Sequence, residues 1–344
     1  MQRGLAQFDL ERPNIQAGQA CAAAHGEGDQ LAAELCSGYA LNGSQCLSLR
    51  LHPSELFEWA TAALASARRT ADRRAEALHL SNLGTACAAL GESRQANEHY
   101  HEALTLARSP DIRDRRAEGG ALCGLGHACM NAGQPQQAIK YFEQWLAIAQ
   151  EDDRRDEGTA LMNLGVAYLH LQGTSRAIEY FDQALAVARE TGNRRRESDI
   201  FVNLGIAQWS LGNRPHAFQC FDQAVIIARE IGDRAGEGGM LGNIGNTRAA
   251  LGDHTRAIET YSQALVAAQE CGDRRLESGI LFNMSRSLDK QGDRAQAIAN
   301  AKSALAIMEE IEDPNAARVR QQLSAWGAHV RKRGAVPGAE AGQL

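Results

Sequence analysis

An all-α solenoid of stacked antiparallel helix pairs is the fold class this sequence predicts, and three observations carry the prediction. The tripeptides Asn82-Leu83-Gly84, Asn163-Leu164-Gly165 and Asn203-Leu204-Gly205 recur, followed by Asn243-Ile244-Gly245 and Asn283-Met284-Ser285, with Gly124-Leu125-Gly126 filling the one gap. Their third positions are spaced by 42, 39, 40, 40 and 40 residues, a period that belongs to repeat architectures. An alanine ladder runs in the same phase, through Ala96, Ala138, Ala177, Ala217, Ala257 and Ala297. Between the two series lies a turn with glycine at 91, 133, 212, 252 and 292, the residue favoured just past a helix end. The third unit has Gln172-Gly173, its glycine displaced by one.

Each element follows in order. Residues 1–27 read as an N-terminal helical lead-in, a remnant of a domain junction. Residues 28–71 read as a degenerate capping repeat: Leu56, Ala60 and Ala63 fall 40 before Ala96, Tyr100 and Ala103, whereas the helix around Leu31–Leu49 lacks Leu-Gly. Six repeats of about 40 residues occupy 72–311. In the first helix of a unit, Leu161, Leu164 and Tyr168 share one face. In the second helix, four residues beyond each ladder alanine stand Tyr100, Phe142, Phe181, Phe221 and Tyr261, with Ala301 in the last unit. Three further on come Ala103, Ala184, Ala224, Ala264 and Ala304, with Trp145 the exception. Alanine permits close helix approach, and the aromatic is expected to fill space between neighbouring pairs. Trp145 is expected to push helices apart or to reach a surface.

Units meet at a polar joint, such as Asp153-Arg154-Arg155 or Asp273-Arg274-Arg275. Its Asp or Asn is an expected N-cap, and a glutamate follows four residues later each time: Glu76, Glu118, Glu157, Glu197, Glu237 and Glu277. An exposed Arg–Glu pair contributes only ~0.3 kcal/mol, so stability alone does not explain these arginines. Val319, Leu323, Trp326 and Val330 form the apolar stripe of a capping helix within 312–333, and 334–344 is expected to be a disordered tail.

Composition narrows the function. A formal charge of −6 argues against a general nucleic-acid binder, and no run is long and apolar enough to span a membrane. The N-terminus lacks a signal-peptide core, so a cytoplasmic location is expected. The eight cysteines contain no Cys-x-x-Cys, and Cys87 and Cys129 occupy the position of Tyr168, as small buried side chains would. Among the ten histidines, no nucleophile–base arrangement stands out in sequence. The chain reads as a non-enzyme, with no cofactor and no metal.

The positions Leu161, Leu164-Gly165, Tyr168, Ala177, Phe181 and Ala184 resemble the tetratricopeptide repeat, in phase across 72–311. The period departs from the usual 34 residues, and six extra residues lengthen each helix by about three, or ~4.5 Å. The long period with Asn-Leu-Gly and Gly-Asp-Arg resembles the repeats of Pins-type cell-polarity adaptors and of many bacterial signalling proteins. Phe8-Asp9-Leu10-Glu11-Arg12-Pro13-Asn14-Ile15 also resembles the junction before the helical repeats of bacterial NB-ARC-type signalling ATPases, although the chain has no Gly-x-x-x-x-Gly-Lys-Ser/Thr loop.

The resemblance implies a right-handed superhelix whose first helices line a concave groove, and it places Asn82, Asn163, Asn203, Asn243 and Asn283 in that groove. Asparagine is a mediocre helix former, so its recurrence needs a cause. Two readings stand: gripping the backbone of an extended peptide, or interhelical hydrogen bonds that fix repeat geometry. His127, Val166, His170, Ile206, Trp209, Asn246, Arg286 and Lys290 occupy equivalent positions and differ between units, as specificity residues would. Trp209 is either an anchor for a ligand or packing against the next repeat. Arg286 and Lys290 favour an acidic ligand end, tempered by Asp289 between them. The expected function is a scaffold that binds a peptide segment of a protein partner. The alternatives are the sensor or regulatory segment of a signalling or transcription-regulatory ATPase, and a self-associating module.

Overall fold

A computed structural model describes residues 2–26 and 28–328, with side chains for 10–26, 28–40 and 51–328. The expected tail at 334–344 and Val330 of the capping stripe lie outside the described residues. Sixteen helices and no strand occur among those described, and the chain divides into two compact units, Met1–Thr191 and Gly192–Leu344.

The first unit contains α1 (Gln2–His25), α2 (Gln30–Arg50) and α3 (Pro53–Arg69), then three helix pairs. These are α4 (Arg73–Ala89) with α5 (Ser93–Ala107), α6 (Arg115–Asn131) with α7 (Pro135–Asp152), and α8 (Arg154–His170) with α9 (Thr174–Glu190). The second unit holds α10 (Arg194–Ser210) with α11 (Arg214–Ile231), α12 (Arg234–Ala250) with α13 (His254–Cys271), and α14 (Arg274–Lys290) with α15 (Arg294–Glu310). α16 (Ala316–Ala325) follows, packing Val319 and Leu323 onto α15. The first helix of each pair is called A below, and the second B.

Local chemistry sets these boundaries. Asp72, Asp114, Asp153, Asn193, Asp233 and Asp273 each accept a hydrogen bond from a backbone N–H in the first turn of an A helix. Gly91, Gly133, Gly212, Gly252 and Gly292 end the A helices at φ between 70° and 90°. In the third pair the left-handed position falls to Gln172 (φ 59°), since its glycine sits one residue too late.

The core makes the expected packing more specific in one respect and departs from it at Trp145. Each ladder aromatic seats within its own pair, on the glycine of the A-helix tripeptide: Tyr100 on Gly84, Phe142 on Gly126, Phe181 on Gly165, Phe221 on Gly205 and Tyr261 on Gly245. A Cβ at Gly84 would come 2.7 Å from Tyr100 Cε1, so only glycine accepts the ring. The last pair replaces both members, with Ser285 opposite Ala301. Tyr100 also covers Gly124, which explains the loss of asparagine in that one tripeptide. Trp145 neither reaches a surface nor stands clear: it is buried (5% exposed) against Gly119, where a Cβ would meet its Cδ1 at 3.1 Å.

The polar joint is also more enclosed than an exposed ion pair. Glu157, Glu197, Glu237 and Glu277 are between 3% and 8% exposed. Arg154 bridges Glu157 and Glu190, and Arg194 bridges Glu197 and Glu230. Arg234 reaches Glu237 (2.5 Å) and Glu270 (2.6 Å), and Arg274 reaches Glu277 (2.6 Å) and Glu310 (2.9 Å). Each arginine thus clasps the start of an A helix to the end of its own B helix. Arg229 adds a second donor to Glu237 at 2.6 Å, from the preceding pair. Burial pushes the Glu237 carboxyl up, but hydrogen bonds from Arg229 and Arg234 outweigh it and hold the group below its ordinary range. The first arginine of these four joints therefore has a structural role.

Candidate binding face

The tripeptide asparagines lie on A helices, and the structure separates their roles. In the first unit, Asn163 is 8% exposed, and its Nδ2 lies 3.3 Å from Nε2 of His127 on the preceding A helix. The His127 ring meets Phe142 edge-on, with centroids 5.5 Å apart, and burial of the imidazole lowers its pKa. A neutral ring can then accept from the amide. Asn82 and Val166 are half-buried and His170 is exposed. Asn82 makes no side-chain hydrogen bond with any described residue.

In the second unit, Asn203 donates back to the carbonyl of Asp199 in its own helix at 3.1 Å. Asn243 is exposed and Asn283 half-buried, and neither amide has a hydrogen-bond partner among the described residues. Among the described residues, an interhelical bond therefore forms at Asn163 alone of the five. Trp209 is half-buried within its own pair, edge-on to Phe218 at 6.4 Å, with the Arg214 guanidinium 5.4 Å from its ring centroid. Ile206 stands 41% exposed one turn away.

Four sequence-predicted residues meet in one place. A cleft of about 570 Å³ between α12 and α14 is lined by Asn246, Asn283, Arg286 and Lys290, together with Tyr261, His254 and Ser287. The Tyr261 hydroxyl donates to Asn246 Oδ1 at 2.7 Å, which leaves the Asn246 amide NH2 as a donor. Burial pushes the Tyr261 phenol up to about 12, partly offset by Arg286, so its proton is retained. Arg286 and Lys290 are exposed and form no ion pair with any described residue. Asp289, which tempered this pair in the sequence, accepts from Arg294 Nε at 2.5 Å and from Trp326 Nε1 at 3.1 Å. The carboxylate is thus engaged by Arg294 and Trp326, leaving a donor-rich cleft whose two cations have no ion pair among the described residues.

Tyr261, His254 and Ser287 were missed as lining residues, although one signal was available. The two pairs whose ladder aromatic is tyrosine have a polar residue just after the tripeptide: Tyr100 OH lies 3.1 Å from Thr85 Oγ1, as Tyr261 does from Asn246 at 2.7 Å. Among the described residues, no cluster of three or more His, Cys, Asp or Glu is placed to hold a metal ion, and no helix is long and apolar enough to cross a membrane. Cys87 is buried and Cys129 half-buried, and burial raises both thiols.

The tetratricopeptide repeat family model matches residues 118–190, 156–230 and 236–310, more than half of the chain. This chain therefore belongs to the tetratricopeptide repeat family. No curated protein matches it. Among solved structures, a Signal Transduction ATPase with Numerous Domains (STAND) protein with a tetratricopeptide repeat sensor, from Pyrococcus horikoshii, is similar at 15% identity and a TM-score of 0.59. The match covers 85% of this chain and 46% of that one. Aspartyl phosphate phosphatase F from Bacillus subtilis is 14% identical with a TM-score of 0.56, over 89% of this chain and 87% of that one. The apo form of the quorum sensor NprR from B. thuringiensis is 11% identical with a TM-score of 0.56, over 80% and 82% of the two chains. At these identities the likeness establishes the fold.

Proposed function

We propose that this chain is a protein-interaction module, and that the cleft between α12 and α14 takes an acidic segment of a partner protein. The observation that carries the reading is the pair Arg286 and Lys290, unpaired beside the amides of Asn246 and Asn283 while Asp289 is held elsewhere. Carboxylates satisfy such a set through charge-assisted hydrogen bonds, and the amides suit a peptide main chain. Exposed cations at the rim also speed encounter with an acidic partner. A labelled peptide ending in two glutamates, compared with its glutamine, amidated counterpart, tests this directly. The acidic peptide is expected to bind, and replacing both Arg286 and Lys290 by alanine should weaken it about tenfold or more without loss of helicity. Equal binding of the two peptides, or unchanged binding by the double variant, defeats the reading.

A second reading is favoured by the likeness to the STAND protein with its repeat sensor, of which this chain covers 46%. There the chain is the sensor segment of a signalling ATPase, joined to it or acting in trans. A nucleotide-binding reading frame directly upstream supports this reading; a gene with no such neighbour in several genomes counts against it.

A further inference from the structure

The middle turns of α12, residues 238–245, read Gly-Gly-Met-Leu-Gly-Asn-Ile-Gly. Glycine is the costliest ordinary residue inside a helix, because it loses the most backbone freedom. Number alone does not make a helix weak. The same stretch of α6, residues 119–126, also holds four glycines. There Trp145 lies over Gly119, Tyr100 over Gly124 and Phe142 over Gly126, so packed rings offset the backbone cost at three of the four. In α12 that compensation reaches only Gly245, under Tyr261, and Gly238, where a Cβ would meet Leu276 Cδ2 at 3.0 Å. A Cβ at Gly239 would meet nothing within 4 Å, and one at Gly242 only Ile280 Cγ1 at 3.8 Å.

Both ends of α12 are held. Asp233 caps Gly236 N at 2.9 Å, and Arg229 and Arg234 bind Glu237. At the other end Arg248 donates to Thr260 Oγ1 at 2.5 Å, and Tyr261 holds Asn246. Gly239, Gly242, Asn243 and Asn246 share one face of the helix, at spacings of three and four, and Asn246 lines the cleft.

We propose that α12 is a conformational device: a helix fixed at its ends and soft in the middle, which opens in the free protein and closes when the cleft is filled. The coupling to a ligand rests on the cleft's taking an acidic segment; the softness itself does not. Ordering α12 is then part of the free energy of binding, so affinity and specificity are set partly by a helix–coil step within the protein.

Amide hydrogen exchange on the full chain tests the device. In the free protein, amides of 238–245 are expected to exchange at least tenfold faster than those of 278–285 in α14. Replacing both Gly239 and Gly242 by alanine should slow that exchange by about 10- to 30-fold with no ligand present. Equal protection of the two helices, or no response to the double substitution, overturns the softness. Adding the labelled peptide that ends in two glutamates should protect 238–245, and the double-alanine protein should bind it more tightly. A peptide that binds without protecting α12, or binds more weakly to the double-alanine protein, overturns the coupling. Failure of the peptide to bind at all instead defeats the acidic-segment reading and its coupling, while free-protein exchange still decides the softness.

Discussion

The imidazole of His79 on α4 and the hydroxyl of Ser37 on α2 meet at 2.8 Å, Nε2 to Oγ, and no part of His79 is accessible to solvent. Its Nδ1 has no hydrogen-bond partner among the described residues. Burial lowers the imidazole pKa to about 4, although the charge of Asp72 acts against the shift. A neutral histidine is therefore part of the contact between α2 and α4.

This contact predicts acid lability in the first unit. The folded pKa lies below the unfolded value near 6.5, so the unfolded chain binds more protons between them. Stability from this group is complete above about pH 6.5 and is lost as pH falls toward 4, by about 3 kcal/mol. Melting followed at pH 7, 5.5 and 4 should show the loss, and His79→Leu should flatten that part of the profile. Glu237 in the second unit acts with the same sign: its carboxyl is held low, so its contribution is present above the unfolded pKa and disappears as pH drops through the folded one.

Two glycines of α6 should respond oppositely to the same substitution. Gly126→Ala drives a Cβ into the Phe142 ring and should destabilise the protein by about 1–3 kcal/mol. Gly120→Ala meets nothing within 4 Å and should stabilise it by about 1 kcal/mol. Urea denaturation of both variants is the comparison, and loss of stability in both would contradict the packing described.

Gln172 occupies a left-handed conformation that its five counterparts assign to glycine. Gln172→Gly should therefore raise stability by about 1 kcal/mol, read as a shift in the urea midpoint at constant slope. An unchanged or lower midpoint would show that the turn carries no strain.

The cleft makes an electrostatic prediction that separates neighbouring charges. Affinity for the acidic peptide should fall as salt rises from about 50 mM to 300 mM, because the two cations are exposed and screened. Asp289→Asn should leave affinity within about twofold, since Arg294 and Trp326 already engage that carboxylate. A large gain in affinity on this substitution would mean that Asp289 does face the ligand. Isothermal titration calorimetry resolves both effects.

The features visible in the sequence were those that depend on neighbours within one helix or one turn. The period, the Asp and Asn caps and the glycine turns all rest on separations of a few residues or on simple recurrence. What sequence did not reveal depends on partners far along the chain. Glu197 looked like half of an exposed local pair because Arg194 is close by; its enclosure needs the helix end that carries Glu230. Trp145 looked misplaced because Gly119, which makes room for it, lies on another helix. Asp289 looked like a charge in the cleft because nothing local announces Trp326. One long-range rule is legible in the sequence: the tripeptide glycine and the aromatic sixteen residues later change together, as Ser285 and Ala301 show. For the asparagines, position on the A helices was legible, but their differing hydrogen bonds were not, since five equal letters lie in five different surroundings.

The arginine clasp bears on how such a chain can grow. Arg194 reaches back to Glu197 and across to Glu230, both inside one helix pair, while Arg229 of that pair serves the glutamate of the next. A forty-residue segment copied from joint to joint therefore arrives with its own closure and with a donor for whatever follows. Duplication or deletion of whole segments leaves every buried carboxylate with a guanidinium, whereas a cut inside a pair strands one. Selection among gene rearrangements would then keep the period near forty, independently of anything the array binds.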